Sequence, residues 1–178
     1  MEDLKLVKAS DQYKEQVQMM LEEVRSVDED VPWQYAGMAS LEKYENFEDW
    51  LEKIEKETKP EELLPRRVPA STYFLVRKDD DKLLGMFNIR HELNDYLLNY
   101  SGHIGYSIVP SERRKGYGWQ GLKLALEIAH SLGIYKVLVT CNIKNEASAK
   151  VIEKCDGKLE NIITCPKGNV IKRYWIDN

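Results

Sequence analysis

The stretch from His103 to Gly121, HIGYSIVPSERRKGYGWQG, constrains this chain more than any other part of it. From His103 to Val109 the residues alternate across a pleat, with Ile104, Tyr106 and Ile108 on one side, as a half-buried strand requires. Pro110 has no N–H to give a ladder and ends the strand. Arg113-Arg114-Lys115-Gly116-Tyr117-Gly118 follows. Its two glycines permit a tight turn and close backbone approach, and its three cations sit beside the amides that open a helix. Such a loop suits an anion, and a phosphate above all. The spacing excludes a Rossmann fingerprint and a Walker loop, which needs Gly-x4-Gly-Lys-Ser/Thr.

A strand ending in Val-Pro, two residues, Arg-x-x-Gly-x-Gly, an amphipathic helix and a second apolar strand together resemble the GNAT N-acetyltransferase superfamily. Arg113, Gly116 and Gly118 fill that family's signature loop without substitution. The resemblance implies acetyl-CoA as co-substrate, with no metal. Its pyrophosphate would lie on the backbone amides of about residues 114 to 119, that is Arg114, Lys115, Gly116, Tyr117, Gly118 and Trp119. The pantetheine arm would pair with the main chain of Ile108 and Val109. Asn142 and the Asn145-Glu-Ala-Ser148 segment resemble the part with which relatives touch the cofactor. Asn145 has a second reading, as a helix N-cap.

The order of elements carries the resemblance along essentially the whole chain. Residues 3–9 alternate as a first strand, and Ser10-Asp11 offers a cap for a helix to about Val27. Asp28 to Pro32 should break that helix. Leu41, Tyr44, Phe47, Leu51 and Ile54 predict a second, continuous helix from Ser40 to before Pro60. Strands at 71–78 and 82–92 around Asp79-Asp80-Asp81 make a hairpin, and Asn94 to Ser101 is a link. A crossover helix from Gly116 to Gly133 is buried through Leu122, Ala125, Leu126 and Ala129. A strand at 136–141, a helix at 145–155 and a hairpin of 159–164 with 170–176 complete the chain. The expected fold is one mixed α/β domain over residues 1–178, a mostly antiparallel central sheet flanked by helices. In the family the central strand and the next, parallel one splay apart, and the cofactor lies in the gap.

Acetyl transfer to an amine needs a base for the amine and a proton for the departing thiolate. His103, at the start of the central strand, and His91, beside Glu92, are the candidates for the base. The competing reading of His103 is a strand-edge histidine bonded to the backbone. Many relatives read Leu-Tyr-Glu-Lys in the last long helix and use that tyrosine as the acid; here the sequence is Val151-Ile152-Glu153-Lys154, and Ile152 has no proton to give. Tyr174 and Tyr106 are the substitutes. His130 is expected at the surface. Cys155 reads as a structural helix cysteine, and Trp33, Trp50, Trp119 and Trp175 as packing aromatics.

Composition bounds the rest. Apolar residues at 43% and charged residues at 31% are globular values. A net charge of −4 is no footprint for nucleic acid. Three cysteines without metal-ligand spacing read as reduced thiols. The opening MEDLKLVKAS lacks a signal peptide's apolar core, and no apolar run approaches a membrane span; a soluble cytoplasmic protein is the expectation. Between Asp28 and Leu64 there are twelve acids against four lysines. This is either the polar face of surface helices or a field that draws a cationic amine. The expected activity is transfer of acetyl to a small-molecule amine by direct attack, with a homodimer left open. An acyl-CoA sensor without turnover and a protein or peptide N-acetyltransferase are the alternatives.

Overall fold

The alternation read at the start of the chain produces an edge strand, β1 (Leu4–Lys8), in a computed structural model that describes residues 2–27, 31 and 33–178. Helix α1 (Lys14–Ser26) buries Val17, Met20 and Val24 and stops at Val27, whose backbone is extended. The break expected at 28–32 lies, but for Val31, outside the described residues. The continuous second helix is not formed. A 3-10 turn at Leu41–Lys43 and α2 (Phe47–Lys56) stand separately, because Tyr44 is extended and Ala39 and Ser40 adopt positive φ of 49° and 65°. The face of α2 therefore turns on Phe47, Trp50 and Ile54, with the Trp50 indole N–H donating to Met38 O at 3.1 Å.

Strands β2 (Ala70–Arg77) and β3 (Lys82–Arg90) form the expected hairpin, its turn held by Arg77 reaching Asp80 at 2.8 and 2.9 Å. The link at 94–101 contains a short helix, α3 (Asp95–Tyr100), whose N-cap Asn94 accepts the Leu97 N–H at 2.9 Å. Then come β4 (Ile104–Ile108), α4 (Tyr117–Ser131), β5 (Lys136–Asn142), α5 (Glu146–Lys154), β6 (Lys158–Thr164) and β7 (Val170–Asp177).

These strands make two sheets, β1-β2-β3-β4 and β5-β7-β6, with every ladder antiparallel. The first sheet is covered on both faces. Phe74, Val76, Leu83 and Met86 pack with α1 and α2, while Leu75, Leu84, Phe87 and Ile89 pack with α4. Burying each such side chain contributes about 1.5–3 kcal/mol. Helix α4 can sit on the sheet because Gly121 has no side chain: a Cβ there would fall 2.4 Å from Phe87 Cζ.

Neighbours β4 and β5 form no ladder, parallel or otherwise. They touch at one bridge, Gly102 to Val139, beside a hydrogen bond from His103 N–H to Leu138 O at 2.7 Å. Gly102 (φ 77°) is the weld, since a Cβ there would lie 2.4 Å from Leu138 O. Beyond it the sheets diverge, leaving a gap between β4 and β5 at the end where Pro110 ends the strand.

Candidate active site

Register decides which main-chain groups of β4 face the gap. His103 O accepts from Arg90 N–H and Val109 N–H donates to Leu84 O, so residues 103, 105, 107 and 109 turn their polar groups to β3. Those of Tyr106 and Ile108 turn away from β3. Of the two residues expected to pair with the pantetheine arm, Ile108 turns its main-chain groups away from β3, and Val109 does not, because its N–H is spent on Leu84 O. Tyr106 shares that free edge through its main chain. The hairpin register could have revealed this, but alternation alone does not say which edge faces a partner.

Below that edge Arg113 Nε donates to Ile108 O at 3.2 Å. Arg114 (φ 65°) and Gly116 (φ 87°) both have left-handed backbone, and Gly116 is the N-cap of α4. The N–H groups of residues 114 to 119 donate to no acceptor among the described residues, whereas those of Glu112, Arg113 and Gln120 all do. Six consecutive amides left free at the start of a 15-residue helix form a concave donor array of the kind that takes phosphate oxygens.

The side chains of the loop are less available than its backbone. Lys115 is held 2.8 Å from Glu112, a buried carboxylate that also takes Lys82 at 2.6 Å. The Tyr117 hydroxyl turns into the protein to bond Glu2. Trp119 lies half-buried under Lys154, whose Nζ is 4.0 Å from the ring centre. Gly118 brings α4 against α5, since a Cβ would meet Val151 Cγ2 at 3.2 Å.

Across the gap, Asn145 caps α5, its Oδ1 accepting the Ser148 N–H at 3.1 Å, so the N-cap reading holds and its side-chain N–H groups stay free. Asn142 closes the preceding turn by accepting the Lys144 N–H at 2.9 Å. Ser148 Oγ meets the Tyr106 hydroxyl at 2.9 Å. Tyr106 stacks on Phe87 with centroids 5.3 Å apart, and burial raises its pKa despite Ser148. This hydroxyl pair joins β4 to α5 across the gap.

The three residues expected to carry acid–base chemistry are placed elsewhere. His103 is buried, and its Nδ1 accepts the Leu138 N–H at 2.9 Å. Its proton is therefore on Nε2, and burial, with Arg90 nearby, pushes the pKa down to about 4. A ring whose one lone pair is bonded to the backbone cannot accept a proton from an amine, so the backbone-bonded reading of His103 applies. His91, its pKa lowered by burial against Glu92, shares a 2.9 Å hydrogen bond with Ser71 Oγ. Tyr174 is core: its hydroxyl donates to Glu153 Oε1 at 2.9 Å, and burial followed by Glu153 raises its pKa. Ile152 is fully buried.

On the α2 side of the first sheet lies a cavity of about 790 Å³, lined among others by Gly37, Glu42, Asn88, Arg90, Arg66 and Tyr96. Gly37 (φ 79°) presses onto β4: its Cβ would fall 2.5 Å from Tyr106 Cα. Neither His91 nor His103 lines the cavity. Four acids of the preceding stretch are held in ion pairs, Glu48 with Lys14, Glu52 with Lys56, Glu57 with Lys53 and Glu62 with Lys59. Among the described residues no helix is long and apolar enough to cross a membrane, and no group of three or more His, Cys, Asp or Glu is arranged to hold a metal ion.

Residues 10–158 match the family model described as an acetyltransferase (GNAT) domain. Curated protein sequences give no match. Solved structures do. An acetyltransferase from Salmonella typhimurium that modifies the N-terminal serine of a 50S ribosomal subunit protein superposes with a TM-score of 0.68 at 18% identity, over 98% of this chain and 95% of that one. The ribosomal protein acetyltransferase RimL in complex with coenzyme A gives 0.68 at 17% identity over 98% and 94%. The spermidine/spermine N-acetyltransferase SpeG from Vibrio cholerae, in complex with manganese ions, gives 0.63 at 16% over 97% and 91%. At these identities the likeness is one of fold. With the family model spanning most of the sequence, and the free amides of its signature loop in place, the chain belongs to the GNAT acetyltransferase family.

Proposed function

We propose that this protein transfers the acetyl group of acetyl-CoA to the amine of a small molecule by direct attack. The observation that carries the reading is the run of free N–H groups at residues 114 to 119, next to the open edge of β4. Those amides hold the pyrophosphate. The main chain of Tyr106 and Ile108 and the side-chain N–H groups of Asn145 orient the arm that follows it. Bound acetyl-CoA supplies an activated thioester and a thiol leaving group.

The Tyr106–Ser148 pair is the proton source in this reading. Its hydroxyls lie 2.9 Å apart, and each carries a proton that a developing thiolate beside them can take. Tyr174, tied to Glu153, keeps its proton in the core. His103 holds the start of β4 to β5 and so sets where the sheets diverge.

The test is release of free thiol from acetyl-CoA by the purified protein, offered pooled small-molecule amines, with acetylated products identified by mass spectrometry. Release with a product supports the transferase. Binding of acetyl-CoA without release on any amine pool supports a sensor, the reading that Ile152 in the usual tyrosine position favours.

A further inference from the structure

We propose that the acceptor carries a carboxylate as well as its amine, as an amino acid does, and that Arg90 binds that carboxylate in the cavity on the α2 side of the sheet. This rests on the transferase reading above and names the class of its acceptor. Arg90 ends β3, and its guanidinium lies against β4: a Cβ on Gly105 would be 3.8 Å from Arg90 Nη2. Among the described residues its side chain makes one hydrogen bond, from Nη1 to Gly102 O at 3.0 Å. No carboxylate among the described residues comes within ion-pair distance of it.

Burial pushes the Arg90 pKa down to about 10, with Glu57 and Tyr96 opposing. An arginine stays protonated all the same, so this is a charged, desolvated fork with donors to spare. Glu57, the acid whose charge it feels most, is itself held by Lys53 at 2.9 Å. A cation in that position is stabilised by an anion from outside the chain, and the planar fork matches a carboxylate through two parallel hydrogen bonds.

The rest of the cavity fits the same class. Arg66 and Arg67 stand exposed at its rim and make no ion pair among the described residues. Glu42, which also lines the cavity, has Oε2 buried without a hydrogen-bond partner among the described residues. One carboxylate and one half-buried guanidinium, neither paired among the described residues, share a single cavity and complement a molecule with an ammonium and a carboxylate. A simple polyamine would leave Arg90 uncompensated and would meet Arg66 and Arg67 with like charge. Of the acids in residues 28–64, Glu42 and Glu57 line this cavity, and Glu57 is paired with Lys53.

The test is binding of pooled N-acetyl amino acids and of their matched carboxamides to the CoA-loaded protein, followed by ligand-observed NMR. Acceptor use is compared in parallel between amino acids and their carboxamides. The expected result is binding of the carboxylates at least about tenfold tighter than the amides, a preference lost in Arg90→Gln and weakened in Arg66→Gln, with acetyl-CoA affinity retained. Arg66 is exposed, so its variant keeps the test sound where Arg90→Gln fails to fold. Equal binding of acids and amides, or binding of neither, overturns the proposal. Absence of thiol release from acetyl-CoA on every amine overturns the transferase reading separately, because the NMR readout needs no turnover.

Discussion

His103 and Leu138 exchange two hydrogen bonds, His103 N–H to Leu138 O at 2.7 Å and Leu138 N–H to His103 Nδ1 at 2.9 Å. The two sheets meet here, so the pair fixes the vertex from which β4 and β5 diverge. Replacing His103 with Ala leaves a buried N–H without a partner and should cost about 1–3 kcal/mol in urea unfolding. The folded pKa of about 4 lies below the reference 6.5, so the unfolded chain binds the extra proton between them. The stability from this group is present above pH 6.5 and is lost as pH falls through about 4. His103→Ala should flatten that part of the pH–stability curve, which would remain unchanged were the ring an exposed base.

Gly116 combines a φ of 87° with a Cβ position 3.2 Å from the Trp119 indole nitrogen. Gly116→Val should abolish acetyl-CoA binding in calorimetry while costing about 1–2 kcal/mol of stability. Unchanged affinity would remove the loop from the cofactor site.

Tyr106, partly buried, and Tyr174, fully buried, both have raised pKa, yet they should respond differently to loss of the hydroxyl. Tyr106→Phe should lower kcat about 10²-fold with little change in acetyl-CoA affinity. Tyr174→Phe should leave kcat alone and cost about 1 kcal/mol through the lost bond to Glu153. The reverse pattern in steady-state kinetics would restore Tyr174 as the acid.

Gly121 sets the distance between α4 and the sheet. Gly121→Ala drives a methyl into Phe87 and Leu75 and should destabilise the fold by about 1–3 kcal/mol. The free amides of residues 116 to 119 start the same helix, so acetyl-CoA affinity should fall with it. Thermal unfolding and calorimetry on one sample check both effects.

Much of this was legible in the residues, because local chemistry carries it. Pro110 ends β4, the left-handed Gly116 opens α4 and Asn145 caps α5, each through its own backbone or side chain. Helix α3 was missed although Asn94-Asp95 is a capping signal, since a helix of 6 residues has too short a period to read. The second helix was misread as continuous because Leu41 and Tyr44 share its period. Burial of Trp50, which depends on the sheet beneath, selected the shorter element.

By itself the sequence determined the strand–loop–helix unit around Gly116, the order of elements and the family, since each depends on φ, on hydrogen-bond donors or on periodicity within a few residues. Only the tertiary structure decided that Val109 faces β3, that His103 spends its lone pair on Leu138, that Tyr106 meets Ser148 and that Arg90 has no carboxylate beside it among the described residues. Each of these is a pairing between residues distant in the chain. Register and burial choose such partners, and a linear pattern of residue types contains neither.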